Sequence, residues 1–149
     1  MGHRLHNRLS RWHRRAIYLV TGVLMLSGLA WLAVVYLLAL PSEPTPAPQA
    51  YAGPLLAIHG IVAYVALVAY GLVGHTHMRT GWRVPALRVA AFWLCATLAL
   101  LVGTGLGFYY VAAEAALPPL RWTHVAAGLF LPFVLALHIV RGRWIAGRV

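Results

Sequence analysis

Four long stretches of the chain carry no charged residue: Ala16–Leu40, a segment within Ala50–Met78, Val89–Ala113 and Trp122–Val140. About 20 apolar residues are needed to cross a hydrocarbon core of about 30 Å, so each stretch predicts one membrane-spanning element. Four such elements cannot close a barrel, and unpaired backbone groups are not tolerated in lipid, so all four are expected to be helices. What lies between them interrupts helix formation. Pro41-Ser42-Glu43-Pro44-Thr45-Pro46-Ala47-Pro48 opens a Pro-rich loop expected over 41–52, Arg79 to Pro85 forms a turn of Gly, Pro and arginines, and Leu117-Pro118-Pro119-Leu120 closes the third connection. No residues remain for a second domain. Residues 1–149 read as one all-α, integral membrane four-helix bundle, with 1–15 as a polar N-terminal arm.

The first apolar run follows an Arg-rich segment, as a secretory signal does. A signal core is about 7–15 residues long, whereas Ala16–Leu40 is much longer, so it reads as a retained helix.

Charge orients these helices. The chain has a net charge of +10, and its 12 basic residues are all arginine. Arg4, Arg8, Arg11, Arg14 and Arg15 precede the first span; Arg79, Arg83 and Arg88 lie between the second and third; Arg141, Arg143 and Arg148 follow the fourth. Arg121 alone falls on the opposite side, together with Glu43 and Glu114. The positive-inside rule therefore predicts both termini in the cytoplasm. Arginines clustered between apolar runs, rather than along one polar face, argue against a nucleic-acid partner and for membrane lipid. The single Cys95 lies within an apolar run, so no intrachain disulfide and no Cys-rich iron–sulfur site can form, and redox chemistry would need a bound cofactor.

The histidines carry the chemistry. His3 and His6 lie in the polar arm, His13 at the cytoplasmic start of helix one, His59 near the external end of helix two, His75 and His77 near its cytoplasmic end, and His124 and His138 near the two ends of helix four. Ionisable groups within a membrane helix are costly and mark function by default. His124 and His138 are 14 residues apart. On a helix this leaves them about 40° apart in azimuth and about 21 Å apart along the axis, so one face offers an imidazole near each membrane surface. Gly128, Leu131 and Leu135 fill that face, and the small Gly128 would let a flat macrocycle approach. Imidazole suits axial ligation of haem iron. A second ligand is needed at each depth: His59 is the external candidate, and His13, His75 and His77 are the cytoplasmic ones. From His59, His77 returns to the same helix face about 27 Å away, while His75 lies at a better depth of about 24 Å but about 160° round. His13 sits on another helix at a plausible depth. Arg121, three residues before His124, is placed to meet a haem propionate, and Arg14, Arg15, Arg83 and Arg88 are available on the other side.

One histidine at the start of helix one, one near the external start of helix two, and two on helix four separated by fourteen residues resemble the ligand pattern of the four-helix di-haem cytochromes b. That family includes bacterial cytochrome b-561 proteins and the membrane subunits of respiratory formate dehydrogenases. The resemblance implies two haem b groups, with His13 and His138 holding the cytoplasmic one and His59 and His124 the external one. It further implies the bacterial inner membrane, exchange with the quinone pool, and a partner redox subunit such as a dehydrogenase or multihaem cytochrome c. The chain differs from the family in carrying Arg14 directly after His13 and in its Pro-rich first loop.

Two fully coordinated haems would leave no open iron position for oxygen chemistry, so transmembrane electron transfer is expected rather than catalysis at the metal. No acidic residue lies within any span, which argues against a proton pump. Two competing readings are a self-contained oxidoreductase acting on superoxide or quinol, and a haem-free transporter or assembly subunit whose histidines only bond helices together.

Overall fold

In the computed structural model of the chain, residues 10–37, 47–82, 84–111 and 113–147 are described. They form four α-helices, α1 (Arg11–Tyr36), α2 (Ala47–Gly81), α3 (Pro85–Tyr110) and α4 (Leu117–Ala146), with a single 3-10 turn at Glu114–Ala116 before α4. Apolar segments within all four are long enough to cross a membrane, over Arg11–Tyr36, Ala50–Gly74, Pro85–Tyr110 and Glu114–Ile145. Large apolar side chains such as Leu19, Leu26, Ile61, Val68, Phe92 and Phe133 are exposed along them. Water would penalise such a surface and lipid does not, as expected of a multi-pass membrane protein.

The helix ends follow from local chemistry. Ser10 caps α1, its hydroxyl accepting the His13 backbone N–H at 3.3 Å, so the helix starts inside the stretch expected to be a polar arm. Prolines shift two other boundaries. α2 begins at Ala47, within the segment expected to be loop, and α4 takes in Pro118 and Pro119 rather than starting after them. In the first turn of a helix the missing proline N–H would have had no intrahelical partner anyway, so proline starts a helix as readily as it ends one. Pro85 opens α3 in the same way. Arg88 Nε donates to the Trp82 carbonyl at 2.8 Å across the connection between α2 and α3.

The chain divides into two compact units, Met1–Met78 and Arg79–Val149. The first is the α1–α2 hairpin. Its helices run antiparallel, since Thr21 meets Tyr70 while Ser27, further along α1, meets His59, earlier on α2. Thr21, Ser27, Ala66 and Val73 are buried in it. The second unit is the α3–α4 hairpin. Ala90, Thr97 and Thr104 recur every seventh residue as the buried line of α3, and Ala127, Leu131 and Val134 form the buried line of α4. Small residues along such lines let backbones approach closely, which matters because lipid supplies no hydrophobic drive between helices.

The buried line of α4, through Ala127, Leu131 and Val134, shares Leu131 with the histidine-bearing face of Gly128, Leu131 and Leu135 and is centred about two-thirds of a residue step round the helix from it. Gly128 lies beside it, where an added Cβ would come 3.9 Å from Leu101 Cδ2. Pro132, inside α4, has no N–H to offer the Gly128 carbonyl, so the helix ladder is open at that point.

Candidate functional site

In the α1–α2 hairpin, His59 is half-buried on α2 and meets two adjacent residues of α1. The Ser27 hydroxyl lies 3.0 Å from His59 Nδ1, and a Cβ added to Gly28 would stand 3.1 Å from Cε1 and 3.3 Å from Nδ1 of the same ring. The hydroxyl touches the ring edge and the glycine leaves room for its body. Ser27 also donates to the Leu24 carbonyl at 2.9 Å. With its proton on that carbonyl, the Ser27 oxygen can accept from the His59 imidazole, an arrangement that would leave the ring's lone pair on Nε2.

The α3–α4 hairpin repeats this arrangement. His124, half-buried on α4, has Nδ1 2.8 Å from the Thr104 hydroxyl. Thr104 donates to the Leu100 carbonyl at 2.7 Å, with the Leu101 carbonyl at 3.2 Å, so its oxygen too can accept from the imidazole. A Cβ added to Gly105 would lie 3.7 Å from His124 Cε1, an ordinary contact. Phe108, one turn further along α3, meets the ring edge to face, with centroids 5.6 Å apart and planes at 66°. In each hairpin, then, a hydroxyl–glycine pair on the first helix meets a histidine on the second.

The other histidines are placed differently along the helices. His13 is exposed in the first turn of α1, with Nδ1 2.6 Å from the Ser10 hydroxyl. Ser10 uses its oxygen to cap the helix and keeps a proton to donate, so this contact leaves the His13 tautomer open. His77 lies on α2 beyond the apolar stretch Ala50–Gly74, and burial pushes its imidazole below the usual histidine range. By helix periodicity it shares a face with His59, Ala66, Tyr70 and Val73. His138 is half-buried near the end of α4, and His75 falls within α2. His3 and His6 lie outside the described residues. Arg121 is exposed one turn before His124, and Arg14, Arg15 and Arg88 are exposed as well. Arg15 lies 5.9 Å from the Trp12 ring centroid, an interaction expected where basic and aromatic side chains gather at a membrane surface.

Comparison of the chain with protein-family models, with curated proteins and with solved structures gave no match. Among the described residues no three or more histidine, cysteine, aspartate or glutamate side chains cluster as they would to hold a bare metal ion. Haem makes a smaller demand, since the porphyrin supplies four nitrogens and the protein only axial ligands. His59 and His124 fit it. A neutral imidazole with its lone pair on Nε2 and its Nδ1–H donated to an outer partner is the form that binds iron. The hydroxyls of Ser27 and Thr104 were not singled out from the sequence. Each is a hydroxyl directly before a glycine within an apolar span, a signal that Thr21-Gly22 shares.

Proposed function

We propose that the chain carries electrons across a membrane through two b-type haems. The observation that carries this reading is the recurrence, in both hairpins, of a half-buried histidine whose Nδ1 lies at hydrogen-bonding distance from a hydroxyl of the neighbouring helix. An imidazole that donates Nδ1–H to such an outer partner keeps its lone pair on Nε2, the form that ligates iron. In this reading His59 and His124 hold the haem nearer the external surface. His138 holds the other, together with His13; His77 or His75 are the alternatives to His13. Gly128 would flank the macrocycle, and Arg121 stands one turn from His124, where a propionate would need a donor.

When bound, haem supplies a one-electron couple with both axial positions filled. The chain's own part is to supply neutral imidazoles, surround them with apolar side chains and exclude water. The arginine bias supports cytoplasmic termini, and the resemblance to di-haem cytochromes b suggests a bacterial inner membrane. Short connections leave no domain for another redox centre, which supports exchange between quinone and a partner redox subunit.

A pyridine haemochrome assay on the purified chain tests this. Two haems per chain are expected, falling toward one in His59→Ala, His124→Ala and His138→Ala. For the fourth ligand, His13→Ala should lose one haem and His77→Ala none; the reverse result would reassign the ligand to His77. A chain purified without any b-type spectrum overturns the reading.

A further inference from the structure

We propose that the open end of the α3–α4 hairpin, away from the Glu114–Ala116 turn, is an arginine surface that binds the phosphates of anionic phospholipids. It is independent of the haem reading.

Depth is fixed by the register of the two helices. Across the seam Thr104 meets His124, and a Cβ on Gly128 would touch Leu101, so α3 and α4 run antiparallel. Arg88 lies as many residues from Leu101 as Arg141 does from Gly128, so the two arginines stand level. Each also borders an uncharged stretch, Arg88 next to Val89–Ala113 and Arg141 next to Trp122–Val140. Such stretches fill the hydrocarbon core, so both guanidinium groups meet the bilayer where its phosphates lie. Arg88, Arg141 and Arg143 are exposed, as are Trp82 and Trp144, and tryptophan gathers at the same headgroup depth. Arg88 Nε is donated to the Trp82 carbonyl at 2.8 Å, which ties the guanidinium to the connection before α3.

Charge at the two ends of the hairpin differs. In sequence the open end has Arg83, Arg88, Arg141, Arg143 and Arg148 and no acidic residue, whereas the other end has Arg121 and Glu114, which offset one another. Orientation in the membrane accounts for basic residues at one end, but not for two further features. Acidic residues contribute little to orientation, so they need not be absent, and lysine orients a helix as arginine does. Yet this end has neither. Contact with lipid phosphate accounts for both: a carboxylate there would repel it, and a planar guanidinium grips two phosphate oxygens where an ammonium offers a point charge.

The test places the full chain in phosphatidylcholine vesicles. Electron paramagnetic resonance of spin-labelled lipids then measures how far the protein boundary prefers phosphatidylglycerol to phosphatidylcholine. The wild type should prefer phosphatidylglycerol. Combined Arg88→Gln, Arg141→Gln and Arg143→Gln should lose most of that preference, because each basic residue close to an anionic surface adds to the attraction. Lysine at the same three positions keeps the charge that orients the helices and should leave an intermediate preference. Arg121→Gln, at the other end, should leave it unchanged, and circular dichroism should show intact helices throughout.

A triple glutamine variant as selective as the wild type overturns the proposal. So does a larger loss from Arg11→Gln, Arg14→Gln and Arg15→Gln on α1, which would move the surface to the other hairpin. A triple lysine variant equal to the wild type overturns the phosphate grip, since charge alone would then suffice. Loss of the preference in millimolar inorganic phosphate, but not in sodium chloride of equal ionic strength, would assign the surface to free phosphate and overturn the lipid assignment.

Discussion

The two hairpins place a histidine in the same local setting but are held together by different means. In α3–α4 the helices meet along lines of small and apolar residues, Ala90, Thr97 and Thr104 against a strand of side chains from Ala127, Leu131 and Val134 on the other helix. His124 takes its place at one end of that seam, with Phe108 against its edge. In α1–α2 fewer apolar residues are buried, and two cross-helix hydrogen bonds, Tyr70 to Thr21 at 2.5 Å and His59 to Ser27 at 3.0 Å, mark the contact. Both imidazoles meet a hydroxyl of the neighbouring helix, so the difference lies in the rest of the contact: apolar packing in α3–α4 and a further polar bond, Tyr70 to Thr21, in α1–α2. The polar bond is more exposed to single substitutions, because it depends on one pair of groups.

The largest effect should come from the histidines themselves. On the proposed haem reading, His59→Ala and His124→Ala are each expected to remove about one haem of two, as measured by pyridine haemochrome, because a lost ligand would have no substitute. Equal losses would show that the two histidines matter equally to haem retention. Loss in only one variant would break the likeness, leaving the other histidine a packing group.

The adjacent glycines should separate the hairpins more finely. A Cβ at position 28 would stand 3.1 Å from the His59 ring, closer than a ring held by Ser27 can accept without moving by some tenths of an ångström. Gly28→Ala is expected to cost about 1–3 kcal/mol in an unfolding titration, the range for overpacking. It should also loosen haem. At Gly105 the new Cβ would be 3.7 Å from His124, so Gly105→Ala should be within about 0.5 kcal/mol of wild type. Equal costs would mean that the two rings are equally confined and that the contrast between the hairpins is smaller than the distances indicate.

How far this could be read from the sequence differs by level. Span number and approximate position follow from uncharged length, because lipid imposes one requirement on every residue in it. The end positions do not follow as well: Pro48, Pro118 and Pro119 looked like helix breakers but lie in first turns, where their missing N–H has no cost. The spacing of His124 and His138 shows that they share a face of α4. It does not show which way that face turns, and the packed line runs through Ala127 and Val134 rather than Gly128 and Leu135. The partners of His59 and His124 were the least visible. Ser27 and Thr104 are two among several hydroxyls in the spans, and only the rotation of one helix against the next selects them. Helix rotation is set by packing between helices, which spacing within one helix does not encode.

The smallest effect bears on the polar bonds themselves. Thr21 donates to the Ile17 carbonyl at 2.6 Å, so the Tyr70 phenol must donate to Thr21, joining α1 to α2. Tyr70→Phe keeps the ring and removes only that bond. Cross-helix bonds in membranes average about 0.6 kcal/mol and reach about 1.7, and this one should fall within that range. Thr97 offers the matched control in the other hairpin: it is equally buried, but its hydroxyl donates at 2.8 Å to Trp93 of its own helix. That carbonyl belongs to the helix ladder in any case, so Thr97→Val, which preserves shape, should change stability by less than about 0.5 kcal/mol. Reversible unfolding in mixed detergent micelles measures both. If Thr97→Val costs as much as Tyr70→Phe, buried hydroxyls stabilise these helices wherever they bond, and the α1–α2 hairpin owes nothing special to its cross-helix pair. If only Tyr70→Phe destabilises, the bond between helices is what holds α1 in the position from which Ser27 and Gly28 meet His59.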